Sequence, residues 1–202
     1  MNVYFNARYL MLVILLWNHA TSQSLKISVN AGGSTSSKPY SYQTFYGPIT
    51  ERGQYVFGTN ASYPLFGNGV GIFFETTNKV MNKSDVSFKS NNIVTGISWR
   101  NEFTSVELEL LMGFGYSWEK YKLTYLRYGS FEIYNELSIF HGGMALSIPV
   151  NDFLDIVFAG RATINNHPHV KTNFYIVNND LYIPPVLYSG MIGLGFNLFR
   201  TD

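Results

Sequence analysis

From Gln23 onward the chain alternates apolar and polar residues with a period of two, and no window carries a sustained helical period. Eight segments show the alternation. The first sets Leu25, Ile27, Val29 and Ala31 against Lys26, Ser28 and Asn30. The second sets Tyr55, Phe57, Thr59, Ala61 and Tyr63 against Gln54, Asn60 and Ser62, and the third sets Val70, Ile72 and Phe74 against Gly71 and Glu75. The fourth has Ile93, Thr95, Ile97 and Trp99 opposite Gly96, Ser98 and Arg100. In the fifth, Val106, Leu108, Leu110, Met112, Phe114 and Tyr116 oppose Glu107, Glu109, Gly113, Gly115 and Ser117. The sixth ends on Met144, Leu146 and Ile148; the seventh sets Leu154, Ile156, Phe158 and Ala162 against Asp155, Arg161 and Thr163. The last sets Tyr188, Ile192, Leu194, Phe196 and Leu198 against Ser189, Gly193, Gly195 and Asn197. Successive side chains of a strand point to opposite faces, so each segment predicts a strand with one greasy and one hydrophilic side.

The connections fall into two classes. Residues 34–53, 78–91, 119–130 and 165–185 read as long loops rich in Ser, Asn, Lys and Tyr, whereas 64–68, 101–104 and 149–153 read as short turns. Long and short alternate, which is the layout of an eight-stranded antiparallel up-and-down transmembrane β-barrel with both termini on the short-turn side. Register supports the reading: pairing Trp99 with Val106 sets Ser98 against Glu107, and pairing Tyr63 with Val70 sets Ser62 against Gly71, each keeping inward with inward. Aromatics collect in two zones. Tyr63, Phe66, Trp99, Phe103, Phe153 and Phe196 lie near the short turns, and Tyr55, Tyr116, Trp118, Tyr121, Tyr128 and Tyr188 lie toward the long loops. Amphipathic rings favour the head-group level, so these are expected to form two belts.

The alternation is preceded by a different kind of segment. Residues 1–22 read as a signal peptide, with Arg8 in the n-region, an apolar run from Tyr9 to Trp17, and small Ala20 and Ser22 before the expected cleavage at Gln23. The run is shorter than the roughly 20 residues of a membrane helix. The expected domain is therefore 23–202.

Composition narrows the function classes. Charged residues are 13%, about half the usual quarter, aromatics are 17% and mean hydropathy is +0.01. That hydropathy is too polar for a bundle of membrane helices and suits a barrel with a lipid face and a polar lumen. Removing Arg8 leaves 13 basic residues (14 less one) against 13 acidic ones, so no basic excess points to nucleic acid. The chain has no cysteine, which excludes disulfides and thiolate chemistry.

The run Gly190-Met-Ile-Gly-Leu-Gly-Phe-Asn-Leu-Phe199 resembles the closing strand of small outer-membrane β-barrel proteins, especially the barrel family common in Bacteroidetes. With the leader and loop pattern, the likeness covers essentially the whole mature chain, and the architecture resembles the OmpA/OmpX type. It implies residence in the bacterial outer membrane among lipid and lipopolysaccharide, periplasmic termini, and insertion by the outer-membrane assembly machinery. The family has no shared catalytic motif. This chain departs from many members in carrying Arg200-Thr201-Asp202 after the terminal aromatic.

The inward polar set Glu75, Arg100, Glu107, Glu109, Asp155 and Arg161 is the most pointed chemistry on offer. Small barrels are filled by side chains, and buried charges must pair, so a structural network is expected, with Arg100 diagonal to Glu107. Inward Phe73, Val94, Leu111 and Val157 argue against a continuous wet channel. His167-Pro-His169 in a long loop is a weak metal site, and His141 before Gly142-Gly143 predicts a bulge or kink. No metal, cofactor or catalytic residue is expected. Asn60-Ala-Ser62 and Asn82-Lys-Ser84 match sequons, the first inside a strand.

The leading expectation is a non-enzymatic barrel displaying loops for surface contact, binding or envelope integrity. Tyr40, Tyr42, Tyr46, Tyr121, Tyr125, Tyr128, Tyr175 and Tyr182 are the exposed candidates for an extracellular partner. A lipid-A-modifying enzyme is the first alternative and would require His141 or His167 within reach of a hydroxyl and a carboxylate. A narrow channel for small solutes is another, and a soluble lipocalin-like barrel would instead bury its apolar faces inside.

Overall fold

The computed structural model describes residues 23–44, 47–67, 69–82, 86–125, 129–172, 181–182 and 186–201. The leader, Tyr46, Tyr128 and Tyr175 lie outside them. Eight long strands form one antiparallel sheet: β1 Gln23–Thr44, β2 Gly47–Pro64, β3 Val70–Asn82, β4 Val86–Phe103, β5 Val106–Tyr125, β6 Gly129–Pro149, β7 Leu154–Thr172 and β9 Val186–Thr201. A two-residue strand, β8 Leu181–Tyr182, adds to the far end of β1. Neighbours in sequence are neighbours in space, and β9 pairs with both β7 and β1, while β1 pairs with β2. That last pairing closes the sheet into a barrel, so the long strands have no free edge.

The wall points the way the alternation requires. Leu110, Met112, Phe114, Ile156, Phe158, Ile192 and Leu194 are 37–70% exposed, whereas Glu75, Arg100, Glu109, Asp155 and Arg161 are at most 5% exposed. A soluble barrel of the lipocalin kind would show the reverse, so the structure excludes that arrangement. The outward apolar run of β5, from Leu108 to Trp118, is about the 9–11 residues that a tilted strand needs to cross a bilayer. Exposed Tyr63, Phe66, Phe103 and Phe153 lie at the short-turn end, and exposed Tyr55, Tyr116, Trp118, Tyr134 and Tyr188 lie at the other.

Three expectations change. The stretches 34–53, 78–91 and 119–130 are not long loops but continuations of the ladder: β1 runs to Thr44 before β2 begins at Gly47, β3 to Asn82, and β5 to Tyr125. Beyond the apolar band the outward face turns polar while the lumen face mixes Lys79 and Glu119 with Met81, Phe88 and Tyr121, so the period of two loses its contrast although the backbone pairing goes on. The hairpin registers also differ. Phe103 pairs with Val106 and Trp99 with Leu110, and Tyr63 pairs with Ile72 rather than Val70. Both differences are even, so every residue keeps its face; alternation fixes parity, while the turn fixes absolute register. Finally, no kink occurs at His141-Gly142-Gly143, which pair in unbroken register with Gly113, Met112 and Leu111. The irregularity of β6 against β7 falls between Glu136 and Ser138, opposite the step that contains Pro168. Proline lacks the N–H a ladder needs, so a bulge is where it is tolerated.

Candidate functional site: the barrel lumen

Inward residues of the eight strands fill the lumen in layers. At the short-turn end, Lys26 of β1 is the hub: its Nζ lies 2.6 Å from Glu107 Oε1, 2.7 Å from Asp155 Oδ2 and 2.6 Å from Ser147 Oγ. Asn197 Nδ2 donates to Asp155 Oδ2 at 3.1 Å. Arg100 sits alongside, 3.7 Å from Glu107 and 3.8 Å from Glu109, and donates to Ser62 Oγ at 2.7 Å and to the Ser24 carbonyl at 3.1 Å. Arg100 pairs directly with Glu109, which leaves Glu107 diagonal to it, two positions nearer the turn.

A second network sits deeper. Glu75 of β3 accepts from Arg161 Nε at 2.9 Å and from Asn60 Nδ2 at 3.3 Å, and its other oxygen stands 3.1 Å from His141 Nε2. His141 Nδ1 is 3.2 Å from Thr163 Oγ1. Arg161 spends a further N–H on the Met144 carbonyl at 2.7 Å. Gly143 makes room for this arginine: a Cβ there would run into the Arg161 side chain and the Gly160 carbonyl. Buried charges need partners: Lys26 and Arg161 have both ion pairs and short hydrogen bonds, whereas Arg100 Nε and Glu109 Oε1 meet opposite charge only at 3.7–3.8 Å and make no hydrogen bond.

Apolar layers separate and cap the charges. Phe73, Val94 and Leu111 form one cluster with Met81, Phe88 and Tyr121, while Val56, Ala145, Val157, Ala159 and Met191 form another. Between the parts of the first cluster lies a polar layer that includes Lys79, Glu119 and Asn135, all at most 3% exposed. These alternating layers fill the lumen as a small barrel's side chains are expected to do.

The six predicted lumen residues thus split into two groups, Arg100, Glu107, Glu109 and Asp155 at one end and Glu75 with Arg161 in the middle. Lys26 and His141 belong with them, although the lumen network expected from sequence did not include either. Parity would have found both, since Lys26 sits between outward Leu25 and Ile27, and His141 follows inward Ile139 by two. Tyr121 requires correction. It is 0% exposed, donates to Glu119 Oε2 at 2.6 Å and packs against Phe88 with ring centroids 4.7 Å apart, so it is no surface-binding residue. Its odd spacing from outward Trp118 puts it on the lumen side. Tyr40, Tyr42, Tyr125 and Tyr182 have backbones in strands, not loops, and their side chains lie outside the described residues. The same holds for His167 and His169, whose backbone belongs to β7.

Glu75, His141 and Thr163 bring a carboxylate, an imidazole and a hydroxyl together, the grouping that a hydrolase or acyltransferase would need. Their setting is wrong for that chemistry. Thr163 is 3% exposed, and the carboxylate already serves Arg161 and Asn60, so a substrate carbonyl has no approach to the hydroxyl.

No protein-family model and no curated sequence matches the chain. Solved structures do. It is similar to Neisserial surface protein A, with 14% identity over 86% of this chain and 96% of that one and a TM-score of 0.54. It is similar to a major outer membrane protein of Thermus thermophilus, with 10% identity, coverage of 86% and 99%, and a TM-score of 0.59. OprG of Pseudomonas aeruginosa gives 9% identity, coverage of 90% and 99%, and a TM-score of 0.53. The fold is that of small outer-membrane β-barrels.

Proposed function

We propose that this chain is an integral protein of a bacterial outer membrane, without enzymatic activity, that presents its strand extensions for surface contact or envelope integrity. One observation carries the reading: the apolar face of every long strand is outside, and the enclosed face is bolted by ion pairs and plugged by apolar layers. A wall of that kind belongs in lipid, and a lumen of that kind neither passes solutes nor admits a substrate. The parts left to act are the ladders that run past the outer aromatic belt. Residues 1–22 support export, the short turns support periplasmic termini, and the closing run Gly190–Phe199 supports a relationship to barrels of the Bacteroidetes type. The partners in this reading are outer-membrane lipid, the assembly machinery and an extracellular surface.

Surface digestion of intact cells tests orientation, because trypsin should cut the exposed Lys89 and Lys122 on the extensions while the band stays protected. Excising the outer part of the β1–β2 hairpin, residues 36–52, then tests display. Loss of a surface phenotype from a barrel that still migrates as a compact species before boiling supports it. An unchanged phenotype after each extension is removed in turn sinks it.

A further inference from the structure

The outer wall is thin in side chains at the seam where the first and last strands meet. Gly33 of β1 stands directly opposite Tyr55 of β2 on one side and Gly190 of β9 on the other, and Gly190 in turn faces Gly160 of β7. Inward glycines such as Gly32, Gly96 and Gly193 leave no room for a side chain, because a Cβ there would strike the backbone of the next strand. The outward ones differ: a Cβ on Gly33, Gly53 or Gly190 would meet nothing closer than 3.9 Å. Glycine weakens a strand, and where the barrel itself does not need the space it marks a close approach by another backbone or ligand. The missing side chains leave a hollow of about 900 Å³ floored by Gly33, Gly53 and Gly190 between Tyr55 and Tyr188. A second hollow of about 390 Å³ continues it down β1 over Ala31, between Phe57 and Ile192. No described residue lining either one is charged, whereas the far wall carries Lys120 and Glu132 outward on β5 and β6.

We propose that this trough is the contact face between two copies of the chain in the membrane. Copies inserted the same way are related by a two-fold axis along the membrane normal, and such a face must carry both knob and hole. The trough carries both. Tyr55, 72% exposed, and Phe57, 55% exposed, project from β2 on one side of the β1 floor, and Gly190 lies one strand to the other side. With the axis over β1, β2 of each copy faces β9 of the other, so each Tyr55 enters the other's hollow. In lipid there is no hydrophobic force between apolar surfaces, and association depends on close packing over small residues. The uncharged lining brings no like charges together. The inference rests on the membrane-spanning reading above and adds a protein partner within the membrane.

The chain has no cysteine, so a single introduced thiol reports contact between copies. Thr35→Cys sits on β1 beside the trough, and Tyr116→Cys sits on β5, four strands away on the opposite wall. In vesicles at a low protein-to-lipid ratio, a short bifunctional thiol reagent should link T35C into dimers and leave Y116C monomeric. Adding Y55A to T35C should weaken the dimer by about thirtyfold, the effect of about 2 kcal/mol expected of a central aromatic anchor. Adding G190L, which fills the floor where a Cβ has room, should also abolish linking. Both changes face lipid, so mobility before boiling should stay that of a folded barrel. Equal linking of T35C and Y116C means chance collision, and no linking of T35C means that lipid fills the trough. Either result overturns the proposal, as does a dimer that survives both Y55A and G190L. If the barrel reading itself is wrong, the failure looks different: the chain dissolves without detergent and shows no mobility change on boiling.

Discussion

At the level of single residues, the lumen charges matter through what their removal would orphan. Arg161→Met leaves Glu75 with a histidine and an asparagine in place of a guanidinium, inside a 2%-exposed site. Breaking one side of a buried pair costs about 3–5 kcal/mol, whereas replacing both sides is far milder. Urea titration of the bilayer-inserted barrel should show that loss for R161M, with much of it recovered in the R161M/E75Q double variant. The Lys120–Glu132 pair behaves differently, because it lies beyond the apolar band and is exposed. The hydrogen bond from Lys120 lowers the Glu132 carboxyl below its ordinary 4.5, and the bond to Glu132 raises the Lys120 ammonium above 10.5. For the acid, the contribution is present above 4.5 and fades as pH falls through the lowered value. For the lysine, it is present below 10.5 and fades as pH rises through the raised value. The pair is therefore intact between those limits, and Glu132→Gln should return the Lys120 resonance toward its ordinary titration. An unchanged Lys120 titration would remove Glu132 as the cause.

At the level of elements, the short turns set what the strands cannot. Alternation alone allows Trp99 to face Val106, Leu108 or Leu110 with identical inside and outside faces. The tight turn at Thr104-Ser105 selects Leu110. Thr104 has φ of 22°, a positive value that suits a β-branched residue poorly. Thr104→Gly is expected to stabilise the hairpin by about 0.5–1 kcal/mol, read as a higher urea midpoint with an unchanged slope. By contrast, Gly69 at φ 79° abuts the Arg100 carbonyl, so Gly69→Ala should lower the midpoint. The extensions past the belt were misread as loops for a related reason. Lys120 and Lys122 outside and Glu119 inside give no hydrophobic contrast, and continuous backbone pairing leaves no mark in the composition.

At the level of the whole molecule, the layered lumen predicts electrical silence. Reconstituted in a planar bilayer, the protein should give no steps above baseline. Stable single-channel currents would mean that the Phe73–Val94–Leu111 layer does not seal. The count of long strands, the hand of each face, the polar lumen and most of its charges were legible in the sequence. They follow from a period of two, the pattern that a barrel with an apolar outer wall and a polar lumen requires. Other features came only with closure of the sheet. It brought Lys26 of the first strand to Glu107 and Asp155, 81 positions away in the first case, and set His141 between Glu75 and Thr163. Contacts across a barrel depend on register, tilt and stagger summed over several hairpins, and no local pattern encodes that sum.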